Sequence, residues 1–79
     1  MIVRLFTTLG CHPCEEAHEQ LLSLALGGMD LSIELAEISD SEKLMDRYGA
    51  TIPVIRTESR EIGWPFSVDE LEIFLGNDT

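Results

Sequence analysis

Ile2-Val3-Arg4-Leu5-Phe6-Thr7, then Thr8-Leu9-Gly10, then Cys11-His12-Pro13-Cys14-Glu15-Glu16-Ala17, is the stretch on which the reading of this chain turns. The first six residues form a short apolar run, which predicts a strand buried on both faces. Thr8-Leu9-Gly10 turns the chain, and a helix is predicted from the cysteine pair to about Leu26. Pro13 suits a first-turn position, and Glu15, Glu16 and Glu19 suit the positive end of the helix dipole. Cys14, Ala17, Leu21 and Ala25 fall near one face, with Leu22 and Leu24 widening it. Gly27-Gly28 stops the helix.

Cys11 and Cys14 are the only cysteines in the chain. Residues three apart on a helix are near neighbours, so their sulfurs can reach disulfide geometry. The first turn of a helix leaves N–H groups unpaired and carries positive potential. Both effects stabilise a thiolate at Cys11, and the thiolate is the attacking species. The expectation is a lowered pKa for Cys11, with Cys14 one turn deeper, more buried and higher in pKa. Cys11 would then attack a substrate disulfide and Cys14 would resolve the mixed disulfide. Zinc sites use the same spacing. A pair opening a helix directly after the first strand of a β-α-β unit points instead to redox chemistry. As a structural staple the pair would close only a tiny loop and do little for stability.

His12 has two readings. An imidazolium between the cysteines would favour the thiolate, whereas a solvent-exposed loop residue would do little. Glu15 and Glu16 act the other way, by repelling the thiolate. His18, four residues after Cys14, suggests a third metal ligand. A structural zinc site needs four ligands and no second cysteine pair exists, so His18 reads as an amphipathic helix position and no metal site is assigned.

Beyond the first helix, Leu31, Ile33 and Leu35 alternate with Ser32 and Glu34, marking a second strand parallel to the first. Ser39-Asp40-Ser41-Glu42 offers a capping box from Ser39 to Glu42, leading a short helix through Leu44 and Met45 to Tyr48, with Gly49 as its stop. Ile52 to Thr57 and Glu61 to Trp64 read as a hairpin turning at Glu58-Ser59. Ser67-Val68-Asp69-Glu70 is a second capping box, leading a helix to about Leu75. Gly76 ends it, and Asn77-Asp78-Thr79 is expected to fray. The order β-α-β-α-β-β-α describes an α/β fold, a four-stranded mixed sheet with three helices distributed over both faces.

Seventy-nine residues make one domain, 1–79, near the size at which a single core barely suffices. A formal charge of −10, from 15 acidic and 5 basic residues, argues against a nucleic-acid partner. The acidity reads either as solubility or as selection against anionic partners and for basic ones. No apolar run approaches the roughly 18 residues of a membrane helix, and the opening residues read as a strand rather than a signal peptide. The expectations are a cytoplasmic site, no membrane partner and a monomer.

With these residues in hand, the chain resembles the glutaredoxin branch of the thioredoxin superfamily over nearly its whole length: strand, Cys11-His12-Pro13-Cys14, helix, strand, helix, then Thr51-Ile52-Pro53. The resemblance implies a thioredoxin-like, glutaredoxin-type fold and a thiol–disulfide oxidoreductase with no bound cofactor. His12 and Pro13 would modulate the pair. Pro53 would be a cis-proline beside the cysteines, and Ile52 would offer backbone hydrogen bonds to a peptide-like substrate. The substrate would be a disulfide-bearing protein or glutathione, the latter as co-substrate, and thioredoxin reductase is a second electron donor to consider. Glutathione-using members commonly carry a Lys shortly before the first cysteine, where this chain has Thr7-Thr8-Leu9-Gly10. They also tend to show Gly-Gly and an Asp-containing turn where it has Gly63-Trp64-Pro65-Phe66-Ser67. Lys43 and Arg47 would have to hold one glutathione carboxylate, and the N–H groups near Ser67 and Val68 the other. Trp64 reads either as a substrate platform or as packing, and Phe66 as a hydrophobic staple to Leu71. Two other classes stay open: an iron–sulfur or metal-binding module using Cys11, and a non-catalytic interaction domain.

Overall fold

Alternating side chains in the first strand feed two different cores. The computed structural model describes residues 1–76, and residues 77–79, where fraying is expected, lie outside the described residues. The elements are β1 (Ile2–Thr7), α1 (His12–Leu26), β2 (Ser32–Glu37), a 3-10 turn (Ile38–Asp40), α2 (Glu42–Tyr48), β3 (Val54–Arg56), β4 (Glu61–Gly63) and α3 (Val68–Gly76). They form a four-stranded sheet of order β2-β1-β3-β4. The β1–β2 pair is parallel, as a helical crossover requires, and β1–β3 and β3–β4 are antiparallel. This is the expected mixed sheet and element order.

Val3 and Leu5 of β1 and Ile55 of β3 point to one face. There they meet Ala17 and Leu21 of α1 and Leu71, Phe74 and Leu75 of α3. On the other face Phe6 and Val54 meet Ile38 and Tyr48, with Leu44 and Ile52 at the margin. Phe6 and Tyr48 stack with ring centroids 4.3 Å apart. The expectation that β1 is buried on both faces holds only for its C-terminal half. Ile2 is 56% exposed and Arg4 is exposed. The cause is length: at about 1.5 Å per residue, the seven-residue α2 spans too little of its face. The uncovered part carries a row of charge across all four strands. Glu34 pairs in register with Arg4, Arg4 with Arg56, and Arg56 with Glu61. Arg4 binds Glu34 at 3.1 Å, and Arg47 of α2 reaches Glu61 at 3.8 Å.

Several local signals act where the sequence places them. Gly28, with φ +112°, takes the left-handed position after α1. The Met29 N–H then donates to the Leu24 carbonyl and the Gly28 N–H to that of Ala25, a Schellman closure. Ser67 and Glu70 form the reciprocal capping box, at 3.1 and 3.0 Å, and Phe66 and Leu71 share the main core. Other expectations need correction. The cap of α2 is Ser41, whose Oγ accepts the Leu44 N–H at 3.3 Å, not Ser39. Ser39 falls inside the 3-10 turn that Glu37 caps. Leu22 is 44% exposed rather than on the buried face. The hairpin strands are shorter than expected, because the Ile52 N–H is drawn back to the Tyr48 carbonyl and Pro53 has no N–H to extend the ladder.

Glu37 ties this framework to the loop before the cysteines. Its carboxylate accepts N–H bonds from Leu9 and from Ser39, both at 3.1 Å. Its pKa is lowered, chiefly by the Ser39 N–H, with the Thr8 side chain next and the Leu9 N–H a smaller contribution.

Two outcomes test this framework. Leu21→Ala removes a fully buried side chain at the α1–sheet contact and should cost about 2–5 kcal/mol in urea denaturation. Leu26→Ala, at a residue 90% exposed, should change stability by no more than about 0.5 kcal/mol. Because the Glu37 pKa is depressed on folding, its contribution is present above the unfolded carboxylate pKa and lost as pH falls through the folded value. The Leu9 and Ser39 amide resonances should therefore shift together on acidification, with a midpoint below the ordinary glutamate value. Glu37→Gln should abolish that titration.

Candidate active site

The loop from β1 to α1 is set by a glycine and capped by a sulfur. Gly10 has φ +79°, a left-handed turn that favours a residue without Cβ. The turn brings the Cys11 N–H to the Thr8 carbonyl at 3.3 Å. Cys11 is then the N-cap of α1, with extended φ −85° and ψ 102°. Its Sγ accepts the Cys14 N–H at 3.2 Å, occupying the place of the oxygen in an ordinary Ser or Asp cap. Pro13 sits in the first turn, where its missing N–H costs nothing.

Cys11 and Cys14 are joined by a disulfide with their Cα atoms 5.2 Å apart. Their environments differ as the helix predicts: Cys14 is 2% exposed, whereas Cys11 is half-buried. His12 is exposed, and its Nδ1 lies 3.6 Å from the Glu15 carboxylate.

The Ile52–Pro53 peptide bond is cis. Phe6 pairs with Val54, so Pro53 continues the register beside Thr7, where β1 runs into the cysteine loop. Pro53 is fully buried, and its carbonyl accepts the Trp64 N–H at 3.1 Å. Of the two backbone groups of Ile52, the N–H is already engaged by the Tyr48 carbonyl. A second cis bond, Trp64–Pro65, is a feature for which the sequence reading contained no signal.

The remaining predicted residues do not converge on the cysteines in one cluster. Lys43 is exposed on α2. Arg47 lies over the Tyr48 ring at 5.3 Å and pairs with Glu61. The Ser67 N–H is spent on Glu70, and Val68 opens α3, 40% exposed. Trp64 is half-buried against the main core, edge-on to Phe66 at 5.1 Å. His18 lines a groove of about 290 Å³ between α1 and β2, together with Thr8, Leu9, Cys14, Leu35 and Glu37. Among the described residues no group of three His, Cys, Asp or Glu side chains is placed to hold a metal ion.

The Glu37 clamp and this groove are the parts of the site that sequence reasoning missed. A glutamate two residues before a serine at a strand end is the signal for the clamp. The groove depends on how α1 crosses β2 and has no linear signature.

No curated protein sequence matches the chain. Among solved structures it is similar to the X-ray structure of the structural-genomics target XcR50 from X. campestris. That match has 31% identity and a TM-score of 0.83, covering 98% of this chain and 99% of that one. The solution structure of the same target matches at 30% identity and TM-score 0.77, covering 100% and 97%. Thioredoxin O2 from Arabidopsis thaliana, in its oxidised state, shares the fold at 21% identity and TM-score 0.68, covering 98% of this chain and 73% of that one. The family model of the glutaredoxin-like domain (DUF836) matches residues 2–76, and the chain belongs to that family.

Proposed function

We propose that the protein is a thiol–disulfide oxidoreductase in which Cys11 is the nucleophile and Cys14 the resolving thiol. The observation that carries this reading is the cap of α1. The sulfur that accepts the Cys14 N–H is the half-exposed one, and the sulfur it bonds is buried. A thiolate at Cys11 gains both the hydrogen bond and the helix dipole. A thiolate at Cys14 would lose hydration with no equivalent return.

The cycle balances without a cofactor. The Cys11 thiolate attacks one sulfur of a substrate disulfide, that bond breaks, and the departing thiolate takes up a proton. Cys14, deprotonated, attacks Cys11 Sγ and expels the second substrate thiolate. Two electrons have moved to the substrate and the protein holds the disulfide seen here. Glutathione or thioredoxin reductase would return the electrons. A reducing compartment such as the cytoplasm suits this cycle, and one chain supplies both cysteines, so a monomer suffices.

Two variants and one titration test the proposal. With a mixed-disulfide substrate and a coupled glutathione or thioredoxin reductase assay, Cys11→Ser should lose all exchange. Cys14→Ser should accumulate a covalent Cys11–substrate adduct by mass spectrometry. In the reduced protein, alkylation rate against pH should place the Cys11 thiol below the ordinary cysteine value, and Cys14→Ser should retain that titration. Dithiol turnover by the Cys11→Ser protein sinks the mechanism.

A further inference from the structure

The basic residues of this molecule are gathered away from the groove beside the dithiol, whereas acidic residues occur on every side. All four arginines line two hollows on the α2 face of the sheet and around the β3–β4 hairpin: Arg4 and Arg56 in one, Arg47, Arg56 and Arg60 in the other. Three of them are engaged there, Arg4 by Glu34, Arg47 by Glu61, and Arg60 by the carbonyl and ring of Phe74. The single lysine, Lys43, is on α2, across the sheet from α1. Cys11 follows the C-terminal end of β1, beyond Thr7, whereas Arg4 lies in the strand's N-terminal half. The groove that reaches Cys14 is lined by Glu15 and Glu37 and by no Arg or Lys. Glu16 and Glu19 are exposed elsewhere on α1 and add to the negative charge of that helix.

The same groove carries apolar surface that the fold does not cover. Leu9, two residues before Cys11, is 92% exposed, and Leu35 on the edge strand β2 is 56% exposed. Leu9 is held in place, since its amide is clamped by Glu37. An exposed leucine two residues before the nucleophile, in a groove that ends on Cys14 and is lined by two carboxylates, matches a ligand that is apolar at its centre and cationic around it.

We infer that the dithiol selects disulfides of basic protein segments, with an apolar side chain beside the substrate cysteine seated against Leu9 and Leu35 and flanking Lys or Arg facing Glu15 and Glu37. This rests on the proposed function and narrows it. Glutathione disulfide, which brings only net negative charge, meets the same carboxylates unfavourably. The chemical step is the exchange described above: Cys11 bonds one substrate sulfur as the substrate disulfide breaks and the other leaves as a thiol, and Cys14 then attacks Cys11 Sγ, releasing the first substrate sulfur as a thiol and closing the protein disulfide.

The test is single-turnover oxidation of the fully reduced protein, quenched by acid and read by mass spectrometry. Four disulfides serve as probes: the symmetrical dimers of Ac-Lys-Cys-Leu-Lys-amide, Ac-Lys-Cys-Ser-Lys-amide and Ac-Glu-Cys-Leu-Glu-amide, and glutathione disulfide. Each rate is divided by that of mercaptoethanol with the same probe, which removes intrinsic differences in reactivity. The Lys-Leu peptide should exceed the Glu-Leu peptide and glutathione disulfide at least about tenfold at low salt, and the ratio should collapse toward one near 1 M salt. Joint replacement of Glu15, Glu16 and Glu19 by Gln should shrink that ratio. The Leu peptide should also outrun its Ser counterpart by about threefold or more, and Leu9→Ser should erase that difference. Equal rates for the Lys and Glu peptides overturn the inference and leave the oxidoreductase reading standing. Equal rates for the Leu and Ser peptides remove the groove as the seat. Exchange with none of the four sinks both.

Discussion

A helix that begins in the open must have its first N–H groups met by something, and in this protein the group that meets one of them is a sulfur. The Cys11–Cys14 hydrogen bond is at once a structural cap and a chemical activation. Because the capping atom is the one proposed to react, the local fold and the reactivity cannot be separated. Every time Cys11 changes partner, the start of α1 changes its cap. That constraint explains why the loop is held from both sides, by the left-handed Gly10 within it and by the Glu37 carboxylate outside it.

The framework behind the loop is uneven. One face of the sheet is sealed by two helices and holds most of the core, while the other is sealed only near the cysteine end, where Phe6, Tyr48, Ile38 and Val54 meet. The smaller core has Ile52, the residue before Pro53, at its margin. Tyr48 links it to the charged row by donating its hydroxyl proton to Glu61 at 2.9 Å. The groove beside α1, the buried Cys14 and the proline segment thus lie around one end of β1, the end with cover on both sides.

Much of this was legible in the linear chain because the signals were local. A strand, a glycine turn, a cysteine pair and a proline in the first helical turn follow one another without interruption, and each has a physical meaning on its own. The Ser67–Glu70 box and the Phe66–Leu71 staple were readable for the same reason. What was not legible depended on lengths and crossings. The choice between Ser39 and Ser41 as cap turned on an intervening 3-10 turn, which both spacings permit. The exposure of Ile2 and Arg4 followed from how far α2 reaches, and Leu22 from the phase of α1 against the sheet. Glu37 looked like one more acidic residue until the fold brought Leu9 alongside it. The family match places the whole domain, residues 2–76, in one lineage.

The row Glu34-Arg4-Arg56-Glu61 ends in a carboxylate on each outermost strand. A strand arriving from another molecule, at either margin of the sheet, would have to lie beside one of these groups and strip it of water. Open sheet margins invite such addition, and a charge seated on each is a known deterrent. The same cross-strand row, on the half of one face that the short α2 leaves uncovered, therefore also works against fibre-like stacking at the open margins of the sheet.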